Sequence, residues 1–348
     1  MELDYIIVGC GLAGIAFCEQ LRQHGKTFVV FDDTSQIATK VAGGVYNPVV
    51  LKRFTEVWRA QEQLDLAKPF YKNLEALLDT RLNHEFPVLR RIASIEEQNQ
   101  WAVASDRPNL KKHLHPTLIK NDNKNIVAPF GFGKVLNAGK VDTKKLVSHY
   151  IAYLNNRGSF VGIHFNYSEL ESSGQGHHYG PYHAKCVVFA EGFGMKQNPF
   201  FNDLPLVGVK GEILTVRAPE LRLSHAIKSS VFVIPEGNDI YTVGATYDWD
   251  DKTNTVTDKA SEQLSKQLKE LIICDFEIID QAAGVRPTVK DRRPLVGIHG
   301  SQKNIAILNG LGTRGVMVAP MVAKQLFEML EYGTPLDDEI NIDRFRKL

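Results

Sequence analysis

Leu3-Asp4-Tyr5-Ile6-Ile7-Val8 runs straight into Gly9-Cys10-Gly11-Leu12-Ala13-Gly14, and this stretch decides the fold. The apolar run reads as a strand, and the glycine spacing after it is that of a turn shaped for a dinucleotide. Each glycine has its own physical task. Gly9 permits a tight turn, Gly11 lets the backbone approach a pyrophosphate, and Gly14 lets the next helix pack against the strand. Residues 14–25 continue as a helix, with Phe17 and Leu21 one turn apart and Gly25 placed to end it. The helix start offers unpaired N–H groups and the positive end of a dipole to phosphate. A second apolar run, residues 27–31, ends in Asp32-Asp33, about 20 residues beyond the turn. A carboxylate there can hold ribose hydroxyls, and an acid rather than an arginine argues against a 2′-phosphate.

At 348 residues the chain is long for one core, which predicts two closely packed lobes. A formal net charge of +1 supplies no global pull toward nucleic acid or anionic membrane. No apolar run reaches the ~18 residues of a membrane span. The acidic start Met1-Glu2-Leu3-Asp4 enters the first strand with no room for a signal peptide, so a cytoplasmic protein is expected. Cysteines 10, 18, 186 and 274 form no Cys-x-x-Cys pair and sit in apolar surroundings, which predicts buried free thiols. Residues 172–180 read as a surface loop. His177, His178 and nearby His183 have no fourth ligand spaced to join them, and no metal is expected.

Residues 34–48 read as a loop. Its Ala42-Gly43-Gly44 can bring backbone close to a flat ligand, or form a plain turn. Residues 54–79 place Phe70, Leu74, Leu77 and Leu78 on one helical face, and Pro69 is expected to kink or interrupt them. Residues 83–140 suggest short strands and loops of a second lobe, with Lys111-Lys112-His113-Leu114-His115 as a solvated face. Helices are predicted over residues 142–156 and 258–273. Strands are predicted over 186–190 and 207–216, with a hairpin over 231–243.

The chain then repeats its opening device. Asn304-Ile305-Ala306-Ile307-Leu308 is a buried-strand pattern, Asn309-Gly310-Leu311-Gly312-Thr313-Arg314-Gly315 a second glycine turn, and residues 316–331 an apolar helix. A nicotinamide cofactor needs only the first unit. FAD can use both, with one helix start at the pyrophosphate and the other stabilising the anion of the reduced flavin ring. A plain glycine-rich strand–helix junction is the alternative for the second unit.

Together with Gly139-Lys140-Val141-Asp142, residues 187–192, Val209-Lys210-Gly211-Glu212, Ile234-Pro235, Gly244-Ala245-Thr246 and Gly284-Val285-Arg286-Pro287, these pieces occur in an order that resembles the FAD-dependent D-amino-acid oxidase superfamily, which includes glycine oxidase and sarcosine oxidase. The resemblance spans nearly the whole chain. It implies an α/β fold with a Rossmann-like FAD-binding lobe, a doubly wound parallel sheet, from residues 1–82, 140–205 and 284–348. A second α+β substrate lobe on a mostly antiparallel sheet would come from residues 83–139 and 206–283. Implied FAD contacts are Gly9, Cys10, Gly11, Leu12, Ala13, Gly14, Asp32, Asp33, Ala42, Gly43, Gly44, Val141, Ala190, Gly192, Gly310, Gly312, Thr313, Arg314, Gly315 and Val316.

The resemblance also implies an oxidoreductase acting on a small amine or amino acid. Hydride passes from the carbon beside the nitrogen to flavin, and water hydrolyses the imine. Arg286 matches the substrate-carboxylate arginine of the family, and an ion pair with Asp291 is its structural alternative. Arg314 can reach substrate or flavin, or be structural. Tyr46 can line the pocket, or only pack. Thr288-Val289-Lys290 stands where members with covalent flavin carry cysteine, so noncovalent FAD is expected. Val231-Phe232-Val233 stands where several glycine-oxidase-like members carry a substrate-binding tyrosine. Ala42-Gly43-Gly44-Val45-Tyr46-Asn47-Pro48, Leu311-Gly312-Thr313-Arg314-Gly315 and Gly333-Thr334-Pro335-Leu336 resemble one branch in particular. It is the FAD half of the bifunctional enzyme that builds methylaminomethyl-uridine in tRNA, which removes a carboxymethyl group from a wobble-uridine amine. A tRNA is therefore the alternative partner.

Overall fold

The computed structural model describes residues 1–174 and 176–346. Strand Glu2–Val8 is central in an eight-stranded sheet, parallel to Phe28–Phe31 on one side and to Tyr182–Phe189 on the other. Phe160–Val161 extends the first side, and Ile305–Asn309 lies parallel to Tyr182–Phe189. A parallel strand covered on both faces needs apolar side chains at every position. Tyr5 and Ile7 enter one core with residues of helices Leu12–Gln23, Ala60–Leu78, Thr143–Asn156 and Gly315–Tyr332. Ile6 and Val8 enter a second core with Phe31, Phe189 and Phe201. Each fully buried isoleucine contributes about 1.5–3 kcal/mol.

A seven-stranded sheet forms the second layer. Its order is Glu277–Val289, Leu206–Arg217, Ile240–Gly244, Phe232–Gly237, Ile227–Lys228, Val88–Arg91, Phe132–Val135. All neighbours are antiparallel except Ile227–Lys228 with Val88–Arg91. Helix Asp258–Lys269 covers it, packing Leu264 and Leu268 against Leu214, Val216 and Val243. The expected lobe boundary at residue 284 falls inside strand Glu277–Val289. Of the segment 284–348, Lys347 and Leu348 lie outside the described residues. A small sheet joins Val45–Tyr46, Gly139–Val141 and Asn83–Glu85. Among the described residues no helix is long and apolar enough to cross a membrane.

Several expectations are corrected. Residues 172–180 are not a loop: Glu171–Ser173 and Gly176–Tyr179 form a hairpin that pairs with Tyr182–Phe189. Gln175 in that segment lies outside the described residues. The period-two pattern buries His177 and Tyr179 while His178 faces out, and Tyr179 stacks on Phe165 with ring centroids 4.2 Å apart. Helix Ala60–Leu78 runs through Pro69 without interruption. Burial of Phe70, Tyr71 and Leu74 offsets the ~3 kcal/mol that an interior proline costs. Residues 54–59 are not helical, and Thr55–Glu56 pairs with Val49–Val50. Within residues 83–140, helix Ile95–Ser105 carries a capping signal that the expectation overlooked. Ser94 accepts from Glu97 N at 3.3 Å, and Glu97 accepts from Ala93 N at 2.6 Å. His113 and Leu114 are fully buried, so only their neighbours Lys111, Lys112 and His115 are solvated. Cys274 is half-buried, whereas the other three cysteines are buried.

Candidate active site

The opening turn is held by contacts that only glycine allows. Gly9 has φ +104°, and a Cβ on it would lie 2.5 Å from Ala190 O. A Cβ on Gly14 would lie 1.9 Å from Gly9 O. Neither Gly11 nor Arg314 caps the helix that follows it, Leu12–Gln23 or Gly315–Tyr332, and only Thr39 Oγ1 reaches the first start, accepting weakly from Leu12 N at 3.4 Å. The two starts touch, since a Cβ on Gly315 would lie 3.0 Å from Leu12 Cδ1. They face one cavity of about 320 Å³, within the range of small-molecule and cofactor sites. Two uncapped helix starts on one cavity concentrate unpaired N–H groups and positive potential there.

Gly9, Gly11, Leu12, Ala13, Asp32, Asp33, Ala42, Gly43, Gly44, Ala190, Gly192, Gly312, Thr313, Gly315, Val316 and Arg286 line this cavity. Cys10, Gly14, Val141 and Gly310 do not, and act behind its wall. Cys10 N donates to Asp32 Oδ2 at 2.5 Å. Val141 O supports the left-handed Gly44, whose Cβ would lie 1.9 Å from it. Gly310, also left-handed, packs on Val289. Burial raises the Asp32 carboxyl, against the backbone donors of Cys10 and Thr34. Tyr46 and Arg314 line an adjoining cavity of about 150 Å³. Tyr46 turns its hydroxyl away, donating to Asn83 Oδ1 at 3.0 Å, and burial pushes it up to about 12.

Among the described residues Arg286 has no acid partner. Asp291, its structural alternative, pairs instead with Arg344 at 2.9 Å. Burial lowers the Arg286 guanidinium, and its one protein hydrogen bond runs to Thr246 O at 3.2 Å. Space for the group comes from Gly211, where a Cβ would lie 1.9 Å from Nη2. Gly211→Ala should displace the guanidinium and weaken carboxylate ligands about tenfold. Stability should change by less than about 1 kcal/mol, because the displaced atoms end a flexible side chain. Parallel ligand titration and thermal unfolding would check both.

Three further residues were not singled out as site residues. Tyr247 places its ring 4.8 Å from the Arg286 Cζ and is 62% exposed. Its loop is tied down by the buried Lys210, which pairs with Asp251 at 2.5 Å and Glu212 at 3.5 Å. Asn309 donates to Gly192 O at 2.9 Å and so joins the two glycine turns. Glu191 lines the cavity although it is buried. Burial pushes its carboxyl up to about 7, against the Tyr167 hydroxyl (2.5 Å) and Asn198 amide (2.7 Å) that favour the anion. No spacing rule marks these positions, because each acts through a partner distant in sequence.

The folded protein therefore keeps a proton on Glu191 that the unfolded chain loses at its ordinary pKa of 4.5. Stability falls as pH rises from about 4.5 through about 7 and then levels off. Glu191→Gln should flatten this dependence and raise Tm more at pH 8 than at pH 5, as calorimetry of the apoprotein would show.

A family model described as "FAD dependent oxidoreductase" (DAO) matches residues 4–329, and the chain belongs to that family. It is an FAD-dependent oxidoreductase. Glycine oxidase of Bacillus subtilis is 22% identical over 98% of this chain and 95% of its own. The tRNA 5-methylaminomethyl-2-thiouridine biosynthesis bifunctional protein MnmC of Burkholderia thailandensis is 24% identical over 90% of this chain but 52% of its own. The chain thus spans about half the length of that relative. Glycine oxidase from Geobacillus kaustophilus has the same fold, with TM-score 0.81 at 18% identity over 97% of this chain and 96% of its own. Iminodiacetate oxidase from Chelativorans sp. BNC1 gives 0.78 at 18% identity over 96% of each. The geometry fits FAD independently of these likenesses. The glycine cradle leaves room for backbone approach, and two helix starts await anionic groups on one cavity.

Proposed function

We propose that the protein uses noncovalently held FAD to oxidise the C–N bond of an amino acid or secondary amine. The observation that carries this is Arg286, a cation without an acid partner among the described residues that lines the same cavity as both helix starts. The cofactor lobe comes from residues 1–82, 140–205 and 284–346 and the substrate lobe from residues 83–139 and 206–283, with strand Glu277–Val289 crossing between them. Gly9, Gly11, Leu12, Ala13 and residues 190–192 hold the pyrophosphate region, and Asp32 the ribose. Ala42 to Gly44 and Gly312 to Val316 flank the flavin ring. When bound, FAD would supply the hydride acceptor for the carbon beside the amine nitrogen. Arg286 takes the substrate carboxylate in a forked charge-assisted bond and so sets the position of that carbon. Phe232 and Val316 exclude water from the junction of the two cavities, and an amine that enters neutral needs no protein base.

A tRNA wobble-uridine amine is the second reading. The likeness to the bifunctional tRNA enzyme favours it, as do Tyr247 and Trp249, 62% and 58% exposed, which can stack on bases. Anaerobic mixing with glycine, sarcosine, D-amino acids, proline and carboxymethylaminomethyl-uridine decides between them. Bleaching of the flavin by free amino acids or amines is expected. Bleaching by the nucleoside alone would transfer the function to tRNA, and a protein that takes up no FAD would end both readings.

A further inference from the structure

We propose that Lys210 and Asp251 form a latch that aims the Arg286 fork at the substrate carboxylate, acting through residues 246–257 without touching the ligand. This rests on carboxylate binding by Arg286 in the proposed function and names the positioning residues behind it. The Arg286 side chain leaves strand Glu277–Val289, where its backbone pairs with Val209, and reaches across the neighbouring strand at Gly211. Its Nη2 comes to rest where a Cβ on Gly211 would stand 1.9 Å away. The head ends against the next segment. Nη1 donates to Thr246 O at 3.2 Å, and Cζ lies 4.8 Å from the centre of the Tyr247 ring. The direction of the fork therefore follows residues 246–247, which lie beyond the end of strand Ile240–Gly244.

Those two residues are held from strand Leu206–Arg217. Thr246 N donates to Glu212 O at 3.1 Å, and Glu212 N donates to Thr246 Oγ1 at 2.9 Å. Lys210 and Asp248 exchange backbone hydrogen bonds of 2.9 Å in each direction. Lys210 and Glu212 thus flank Gly211 as Asp248 and Thr246 flank Tyr247.

The side chains of the same two strand residues hold the return of the loop. Lys210 Nζ donates to Asp251 Oδ2 at 2.5 Å and to Thr255 O. The Glu212 carboxylate accepts from Thr257 N and Thr257 Oγ1, each at 2.8 Å, and from Gln281 Nε2 at 2.8 Å. Both side chains are buried and line neither cavity, although Gly211 between them lines the larger one. A buried ion pair is a poor source of net stability, since well-packed apolar groups do as well. Its directed bonds are accounted for by the geometry they fix, and what rests on this segment is the Arg286 head.

Binding can be read apart from turnover. Methoxyacetate has oxygen in place of the oxidisable nitrogen of sarcosine, and methoxyacetamide is its uncharged counterpart. Each is titrated into the holoenzyme by the shift of flavin absorption. The native enzyme should prefer the carboxylate. Lys210→Met and Asp251→Ala should each cut that preference about tenfold, because a loosened support misplaces the fork. Flavin content and methoxyacetamide affinity should stay native, whereas a merely structural role would weaken both ligands alike. In an Arg286→Leu background neither latch substitution should cut the preference further, because residues acting through one group do not add.

Asp251 is the part-exposed end of the latch, and Asp251→Ala decides alone should Lys210→Met fail to fold. A native preference in either folded latch variant, an equal loss for both ligands, or a further loss beyond Arg286→Leu overturns the latch. Arg286→Leu separates the two levels. Preference lost there but kept in the latch variants overturns the latch alone. Preference that survives Arg286→Leu, or none in the native enzyme, overturns carboxylate binding by Arg286 and the latch with it.

Discussion

Arg286→Leu is expected to weaken carboxylate-bearing amines by on the order of 100-fold, while the apoprotein becomes more stable rather than less. The first effect follows from losing a forked charge-assisted pair, worth about 3 kcal/mol. The second follows from the absence of a carboxylate partner among the described residues: Asp291 belongs to Arg344, and the buried guanidinium is left with Thr246 O and the Tyr247 ring. A structural ion pair would give opposite signs, with stability lost and ligand affinity kept. Two measurements on one variant separate the roles: the substrate dependence of anaerobic flavin reduction, and thermal unfolding of the flavin-free protein. Unchanged affinity would remove Arg286 from the substrate site.

Gly14→Ala should yield mostly flavin-free protein, destabilised by about 3 kcal/mol or more. Helix propensity alone predicts the reverse, since alanine in a helix interior is better than glycine by about 1 kcal/mol. The clash wins because the new Cβ would sit 1.9 Å from Gly9 O, a backbone atom. Gly9 cannot retreat, because its own Cα faces Ala190 O across the strand ends, with only 2.5 Å left for a Cβ. Pushing it aside opens the helix start that the phosphates would need. Gly25→Ala is the control. That glycine has φ +67° but nothing within 4 Å of a Cβ, so flavin content should be kept at a cost of about 1 kcal/mol. Flavin absorbance per protein and calorimetric Tm would check both variants.

Legibility followed the range of each interaction. Strands Glu2–Val8 and Ile305–Asn309 and the helices after them were readable, because apolar runs, glycine turns and helical periodicity are local signals. The hairpin at residues 171–179 was hidden by its polar composition, which masks a two-residue alternation over very short strands. Helix Ile95–Ser105 was missed although Ser94 and Glu97 announce its start, because its apolar face is little more than Trp101 and Ala104. At the site, Arg314 stood out within the second glycine turn, and Arg286 through its match to the family's carboxylate-binding arginine. Gly211, Tyr247 and Glu191 did not, since their significance lies in what they touch.

The sequence by itself determined that two strand–glycine–helix units, one near each end, would each present an uncapped helix start. Backbone conformation at a glycine turn depends on only a few neighbouring residues. Only the tertiary structure decided that both starts open on one cavity, that Asp291 turns to Arg344, and that two arginines are left beside the cleft without an acid among the described residues. Those outcomes depend on which distant side chains the packed sheets bring within a few ångströms, and no local pattern encodes a partner's absence.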